Sequence, residues 1–201
     1  MHYDKVTRLL HWGFALLIPL QLLSEELMKR PKPGRIRTES QAFFFDMHEW
    51  VGMLALTLVL MRLTWALMSK EASWSRLFPY FSSESRQLLP SRLKDEMAGW
   101  LKGKFAETGQ QSPVSGIVHG LGILLVLALG ITGAVMLYGM EESGAMLGLV
   151  HLAKETHEFL GELLWIYIIA HVGMAILHTL LGHPVLRRMF FFKDKRADNG
   201  E

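Results

Sequence analysis

The stretch THEFLGELLWIYIIAHVGMAILH, residues 156–178, combines a long apolar run with histidines at a regular spacing. His157 and His171 are fourteen residues apart. In an α-helix this step rises about 21 Å and brings the side chain back to within about 40° of the same face. The stretch therefore predicts a transmembrane helix that holds two imidazoles in line, one near each side of the membrane.

Charge-poor apolar runs recur along the rest of the chain, in which 50% of the 201 residues are hydrophobic. A bilayer core is crossed by about 20 mostly apolar residues in helical form. The pattern predicts an all-α fold, an integral membrane four-helix bundle that forms one domain over residues 1–201. The transmembrane helices are expected at about residues 6–27, 39–69, 113–138 and 154–181.

The second helix and the connection that follows it have local signals of their own. Thr38 and Gln41 fit a capping box at the start of the helix. Residues 72–112 form a polar connection that is too long for a bare loop. Apolar residues on one helical face of this connection predict an amphipathic helix, either on the cytoplasmic membrane surface or packed on the protein itself. They are Leu93, Met97, Trp100, Leu101 and Phe105.

Lysine and arginine are distributed unevenly between the two sides of the predicted membrane protein. If the N-terminus is inside, the cytoplasmic segments carry more of these residues than the external ones, as the positive-inside rule requires. This distribution predicts that the N- and C-termini are both cytoplasmic. The basic run KRPKPGRIR, residues 29–37, would then lie outside, against the rule.

Histidine is the residue type with the clearest chemical meaning, with nine copies in the chain. Ionisable side chains inside membrane helices are costly and are functional candidates, although any one of them can also be a hydrogen-bonded packing residue. The first helix runs outward and the second returns. His11 is therefore expected at the inner depth with His171, and His48 at the outer depth with His157.

Two pairs of imidazoles at two depths fit two bis-histidine haems, because neutral imidazole is a good axial ligand of haem iron. Zinc would require three or four ligands that converge on one point, whereas this spacing separates the histidines into twos. The chain has no cysteine, which excludes disulfides and attachment of haem through thioether bonds. The sequence therefore predicts two haem b groups, each held by a histidine pair.

The histidines of the outer pair are each followed by a glycine four residues later, in HEWVG (48–52) and HEFLG (157–161). Gly52 and Gly161 then lie on the same helix faces as the histidines, one turn along. A glycine there permits close approach of a porphyrin. Close packing of the helices is the alternative interpretation.

Three further residues are weaker candidates. Arg62 lies fourteen residues after His48, at the depth of the inner haem, where it can pair with a propionate or extend to the headgroups. His178 is a candidate for binding quinone, relaying protons or contacting a propionate, or is an interfacial histidine. His119, at the inner end of the third helix, has the same interpretations, with the packing role favoured.

Four segments together resemble the bacterial di-haem cytochrome b561 family, which includes the cytochrome b subunits of nickel–iron hydrogenases. The segments are RLLHW (8–12), MHEWVG (47–52), MRLTW (61–65) and residues 156–178. The resemblance implies a multi-pass protein of the bacterial inner membrane that carries two b haems. It also implies electron transfer between the quinone pool and a partner such as a c-type cytochrome, a hydrogenase or another dehydrogenase.

The same resemblance implies which residues hold the haems. His11 and His171 would ligate the inner haem, and His48 and His157 the outer one. Arg62 and His178 also fall at positions similar to those of the family.

Two other functions are consistent with the sequence. One is a stand-alone superoxide:quinone oxidoreductase, in which the basic run at residues 29–37 attracts the anion. The other, of a different class, is a haem-free transporter or assembly factor whose histidines relay protons. A reduced-minus-oxidised spectrum distinguishes the haem-free hypothesis from the electron-transfer cytochrome and the superoxide:quinone oxidoreductase, because only the last two have a haem signal.

Overall fold

The computed structural model describes residues 4–32, 34–69, 74–81, 83–101, 113–141 and 144–182, together with residues 186 and 189. In chain order its α-helices are α1 (Lys5–Leu27), α2 (Glu39–Met68), α3 (Trp74–Leu77), α4 (Ser83–Leu101), α5 (Pro113–Gly139) and α6 (Leu149–Leu180). Within the described residues, four helices are long and apolar enough to cross a membrane, namely α1, α2, α6 and the Ser115–Gly139 part of α5. The predicted four-helix membrane fold is confirmed.

The last helix begins earlier than the sequence suggested. α6 starts at Leu149, directly after Gly148, whose φ of 54° ends the preceding loop. Lys154, at the expected start of the helix, lies inside α6, where it pairs with Glu155 and, at 2.6 Å, with Glu158 one turn later. The predicted start at residue 154 is therefore five residues late.

The start of α2 has the predicted capping box. The backbone N–H of Gln41 donates to Thr38 Oγ1 at 3.3 Å, and the backbone N–H of Thr38 donates to Gln41 Oε1 at 3.2 Å. Each side chain thus satisfies a backbone donor that the first turn of a helix leaves without a partner.

The connection between α2 and α5 contains α3, a 3₁₀ turn at Pro79–Phe81 and α4. The ring of Phe78 is fully buried and packs against Trp74, with 4.5 Å between ring centroids. A Cβ at Gly120 of α5 would collide with the carbonyl oxygen of Leu77, so the glycine lets this segment lie against α5. Of the predicted apolar face, Leu93 is half-buried and Phe105 lies outside the described residues. Contact of α4 with lipid stays a prediction.

Contacts within the chain divide it into two compact units. Residues Gly13–Leu63 and Leu121–Ile169 form one, here called the His48–His157 unit. Residues Met1–Trp12, Thr64–Gly120 and Ala170–Glu201 form the other, the His11–His171 unit.

The His48–His157 unit has its core where α1, α2 and α6 meet. Ile18, Leu22, Ala55 and Leu164 are each 5% exposed or less and pack together. Side chains of α5, among them Leu125 and Leu129, close this cluster. All four long helices therefore contribute to the packing that positions the histidines of this unit.

In the His11–His171 unit, Asp4 ties the start of α1 to the end of α2. Its carboxylate accepts hydrogen bonds from the backbone N–H of Thr7 at 2.9 Å and from the Thr7 hydroxyl at 2.6 Å. The indole N–H of Trp65 donates to the same carboxylate at 3.1 Å. Asp4 is therefore the N-cap of α1 and its link to α2.

Candidate functional site

His48 of α2 and His157 of α6 face each other in the His48–His157 unit. The centroids of the two imidazole rings are 6.2 Å apart, and the ring planes cross at 75°. Because bonds from an imidazole nitrogen to a metal are about 2 Å long, two rings that share one metal ion have centroids roughly 6 Å apart. The separation of the two rings suits one iron held between them, and their role as a ligand pair stays a prediction.

A buried hydroxyl on α1 lies beside one ring nitrogen of His48. Ser24 is 1% exposed, and its Oγ donates to the carbonyl oxygen of Gln21 at 2.8 Å. The same Oγ lies 3.0 Å from Nδ1 of His48. A hydroxyl has one proton to donate, and with that proton on the carbonyl the oxygen can accept from Nδ1–H. This contact suits the tautomer of His48 that carries its lone pair on Nε2.

A second hydroxyl, on α5, does the same for His157. Thr132 Oγ1 donates to the carbonyl oxygen of Ala128 at 2.8 Å and lies 2.9 Å from Nδ1 of His157. A Cβ at Gly133 would lie 3.3 Å from Cε1 of His157, so the glycine lets the ring lie close to α5. The contact also suits the Nδ1–H tautomer of His157, in which Nε2 carries the lone pair that can bind a metal.

The two glycines that follow these histidines have different surroundings. A Cβ at Gly161 would meet no atom of the described residues within 4 Å, so the space beside it is open. A Cβ at Gly52 would lie 2.8 Å from Nε2 of Gln21, which donates to the carbonyl oxygen of His48 at 3.0 Å. Gly161 borders a space that a porphyrin could enter, whereas Gly52 admits the Gln21 amide.

His171 of α6 has two imidazole partners in the His11–His171 unit. It interacts electrostatically with His11 of α1. The ring of His119, on α5, lies against His171 with 5.6 Å between centroids and 74° between planes. Nδ1 of His119 lies 3.3 Å from the hydroxyl of Ser115. The sequence favours a packing role for His119 and does not place it beside a predicted ligand.

Buried arginines accompany the histidines. Arg62, on α2, is 8% exposed and is assigned to the His48–His157 unit. Arg8, which the sequence analysis did not single out, is 6% exposed and precedes His11 by three residues on α1. That spacing puts the two side chains on one helix face, which was the signal available in the sequence. His178 lies in the last turn of α6. The predicted contacts of Arg62 and His178 with a propionate or quinone stay predictions.

Residues that hold His48 and His157 in place were missed because they lie far away in the chain. Ser24 is 24 residues from His48, and Thr132 is 25 residues from His157. Neither hydroxyl shares a helix with its histidine, so no periodicity in the sequence indicates the contact.

Within the described residues, no group of three or more His, Cys, Asp or Glu side chains is arranged to hold a metal ion.

The family model described as prokaryotic cytochrome b561 matches residues 2–192, nearly the whole chain. No curated protein and no solved structure matches the chain.

Proposed function

The chain belongs to the prokaryotic cytochrome b561 family, whose members are membrane haem b electron-transfer proteins, and we propose that it carries two b haems. We propose further that it passes electrons between the quinone pool and a redox partner. A c-type cytochrome, a hydrogenase or another dehydrogenase would be suitable partners. The protein would lie in the bacterial inner membrane with both termini in the cytoplasm.

The observation that carries this proposal is the pair His48 and His157. The separation of their rings suits one shared iron, and the hydroxyl beside each Nδ1 suits the tautomer with the lone pair on Nε2. When bound, haem supplies a one-electron couple whose potential depends on its axial ligands. His48 and His157 would hold the outer haem, and the open space beside Gly161 would admit the edge of the porphyrin.

The second haem would be held by His11 and His171. Both are on helices that also serve the first site, since α1 supplies Ser24 and α6 supplies His157. α6 thus provides one ligand for each haem. The buried cations Arg8 and Arg62 are suited to pair with propionates, which would need compensation inside an apolar bundle.

Counting haems and removing ligands one at a time tests the proposal. The purified wild-type protein should contain two haems per chain, measured as the pyridine haemochrome against protein concentration. His48→Ala and His157→Ala should each remove the same haem, and His11→Ala and His171→Ala the other. His151→Ala is the matched control, because His151 is an exposed histidine of α6 that pairs with Glu155.

The outcomes separate the competing functions. A wild-type protein without a Soret band would overturn the proposal and favour a haem-free transporter or assembly factor. Loss of the same haem in His48→Ala and His11→Ala would contradict the assignment of two separate pairs. Retention of both haems in His157→Ala would show that the 6.2 Å pair is not the ligand pair.

A second candidate function rests on the basic loop before α2. The positive charges of Arg30 and Arg35 disfavour the charged form of Lys32 and lower its pKa. Positive charge is therefore concentrated in this loop. The loop lies close against the segment before α6. A Cβ at Gly144 would lie only 2.8 Å from the backbone of Pro31, so the glycine permits this close approach. A positive surface in the His48–His157 unit would speed the approach of an anion such as superoxide or of an acidic cytochrome.

Charge reversal in this loop tests the second candidate. Lys32→Glu should slow reduction of the haems by superoxide, and the wild-type rate should fall as ionic strength rises. Glu26→Lys, a charge reversal of the opposite sign at the end of α1, is the control and should not slow it. Equal rates in the wild type and Lys32→Glu at low salt would rule out electrostatic capture at this loop.

A further inference from the structure

We infer that Ser24 and Thr132 are positioning residues for the haem held by His48 and His157, and that their hydroxyls lower its reduction potential. The inference rests on the proposed function, because it requires that haem to be present. It goes further by assigning a redox role to two residues on helices that supply neither ligand of that haem.

The geometry places both hydroxyls where they can act as acceptors. Ser24 Oγ donates to Gln21 O at 2.8 Å, and Thr132 Oγ1 donates to Ala128 O at 2.8 Å. Each lies beside Nδ1 of its histidine, at 3.0 Å for His48 and 2.9 Å for His157, and can accept a hydrogen bond from Nδ1–H. Four helices thus build one site, with ligands from α2 and α6 and hydroxyl acceptors from α1 and α5.

The direction of the effect follows from the chemistry of the ligand. An acceptor on Nδ1–H raises the electron density and basicity of the imidazole. A more basic axial ligand stabilises ferric iron relative to ferrous iron, which lowers the potential. Here both axial ligands of one haem have such an acceptor, so the two contributions should act in the same direction on the same haem.

The second role is fixing the ring. Ser24 is buried and Thr132 is half-buried, so water has little access to replace their hydroxyls. Without the acceptor, either histidine could adopt the tautomer in which Nε2 carries the proton and cannot bind iron. Each hydroxyl therefore favours the binding-competent tautomer before haem enters the site.

The test is a redox titration of both haems in purified holoprotein, comparing Ser24→Ala and Thr132→Val with the wild type. Each variant should raise one of the two midpoint potentials and leave the other unchanged, and the same haem should respond in both. We expect up to about a tenfold change in the ferric-to-ferrous ratio, or about 59 mV for a one-electron couple.

Thr57→Val is the matched control. Thr57 Oγ1 makes the same kind of hydrogen bond within its helix, to the carbonyl oxygen of Met53 at 2.9 Å, and is exposed. This variant should leave both potentials unchanged. Thr132→Ser restores the acceptor without the methyl group and should return the potential close to the wild-type value.

The outcomes distinguish this inference from the proposed function. A wild-type protein without haem defeats the proposed function. A two-haem wild type in which Ser24→Ala and Thr132→Val leave both potentials unchanged, lower one, or move different haems defeats the inference alone. If Thr132→Val loses one haem entirely, the positioning role requires Thr132→Ser to retain it, and failure of Thr132→Ser to do so overturns that role.

Discussion

The imidazole ring of His119 lies 5.6 Å from that of His171, with 74° between the ring planes. This arrangement is close to that of His48 and His157, at 6.2 Å and 75°. His171 therefore has an imidazole neighbour on α5 in addition to its predicted partner His11. Substitution of His119 should therefore affect the surroundings of His171.

We expect His119→Ala to retain both haems and to change the low-spin electron paramagnetic resonance signal of only the haem held by His171. The physical reason is that the orientation of an axial imidazole sets that signal, and removal of the His119 ring lets His171 rotate. His151→Ala is the control and should change neither signal. Loss of one haem in His119→Ala would show instead that His119 is itself an axial ligand.

Gly161→Leu should remove the haem of the His48–His157 pair without unfolding the protein. A Cβ at Gly161 would meet no atom of the described residues within 4 Å, so we expect a leucine to be accommodated and to occupy the space proposed for the porphyrin. Haem content and helix content by circular dichroism are the two measurements. Two haems per chain in this variant would show that the space is not the porphyrin site.

Arg62→Gln should lower the midpoint potential of one haem. Arg62 is 8% exposed, and a buried positive charge near a haem stabilises the reduced state. The expected change is about tenfold in the ferric-to-ferrous ratio, or about 59 mV. Arg62→Lys keeps the charge and should stay nearer the wild-type potential. If neither haem responds to Arg62→Gln, the arginine does not serve a haem propionate.

Asp4→Ala should destabilise the protein by about 1 kcal/mol at neutral pH, because it removes the N-cap of α1. Trp65→Phe, which removes only the indole bond, should cost less. Thermal unfolding of the detergent-solubilised protein measures both. A midpoint for Asp4→Ala equal to that of the wild type would argue against a capping role.

The same carboxylate predicts a pH dependence. Burial raises the pKa of Asp4, but the hydrogen bonds from Thr7 and Trp65 outweigh it and lower the pKa below its ordinary value of 3.8. The folded state therefore favours the carboxylate form. Its stabilisation is present above pH 3.8 and is lost as the pH falls through the lowered value. Asp4→Ala should lack this part of the acid sensitivity, and an identical acid profile for the two proteins would contradict the assignment.

The outline of the fold could be predicted from the sequence because each of its signals is local. An apolar run of membrane length, the step from His157 to His171 on one helix, and the capping box of Thr38 and Gln41 each depend on one segment. The start of α6, expected near residue 154, lies at Leu149. Lys154 lies inside the helix and pairs there with Glu155 and Glu158.

Local sequence patterns determined which side chains share a face of one helix, and topology then suggested which histidines share a depth. Only the tertiary structure decided which side chains of other helices reach those histidines. The hydroxyls of Ser24 and Thr132 lie beside Nδ1 of His48 and of His157 across helix boundaries. Gly52 faces the Gln21 amide, and His119 lies against His171. The physical reason is that helix periodicity sets direction around one axis, whereas these hydrogen bonds and ring contacts depend on how neighbouring helices are rotated and aligned against one another.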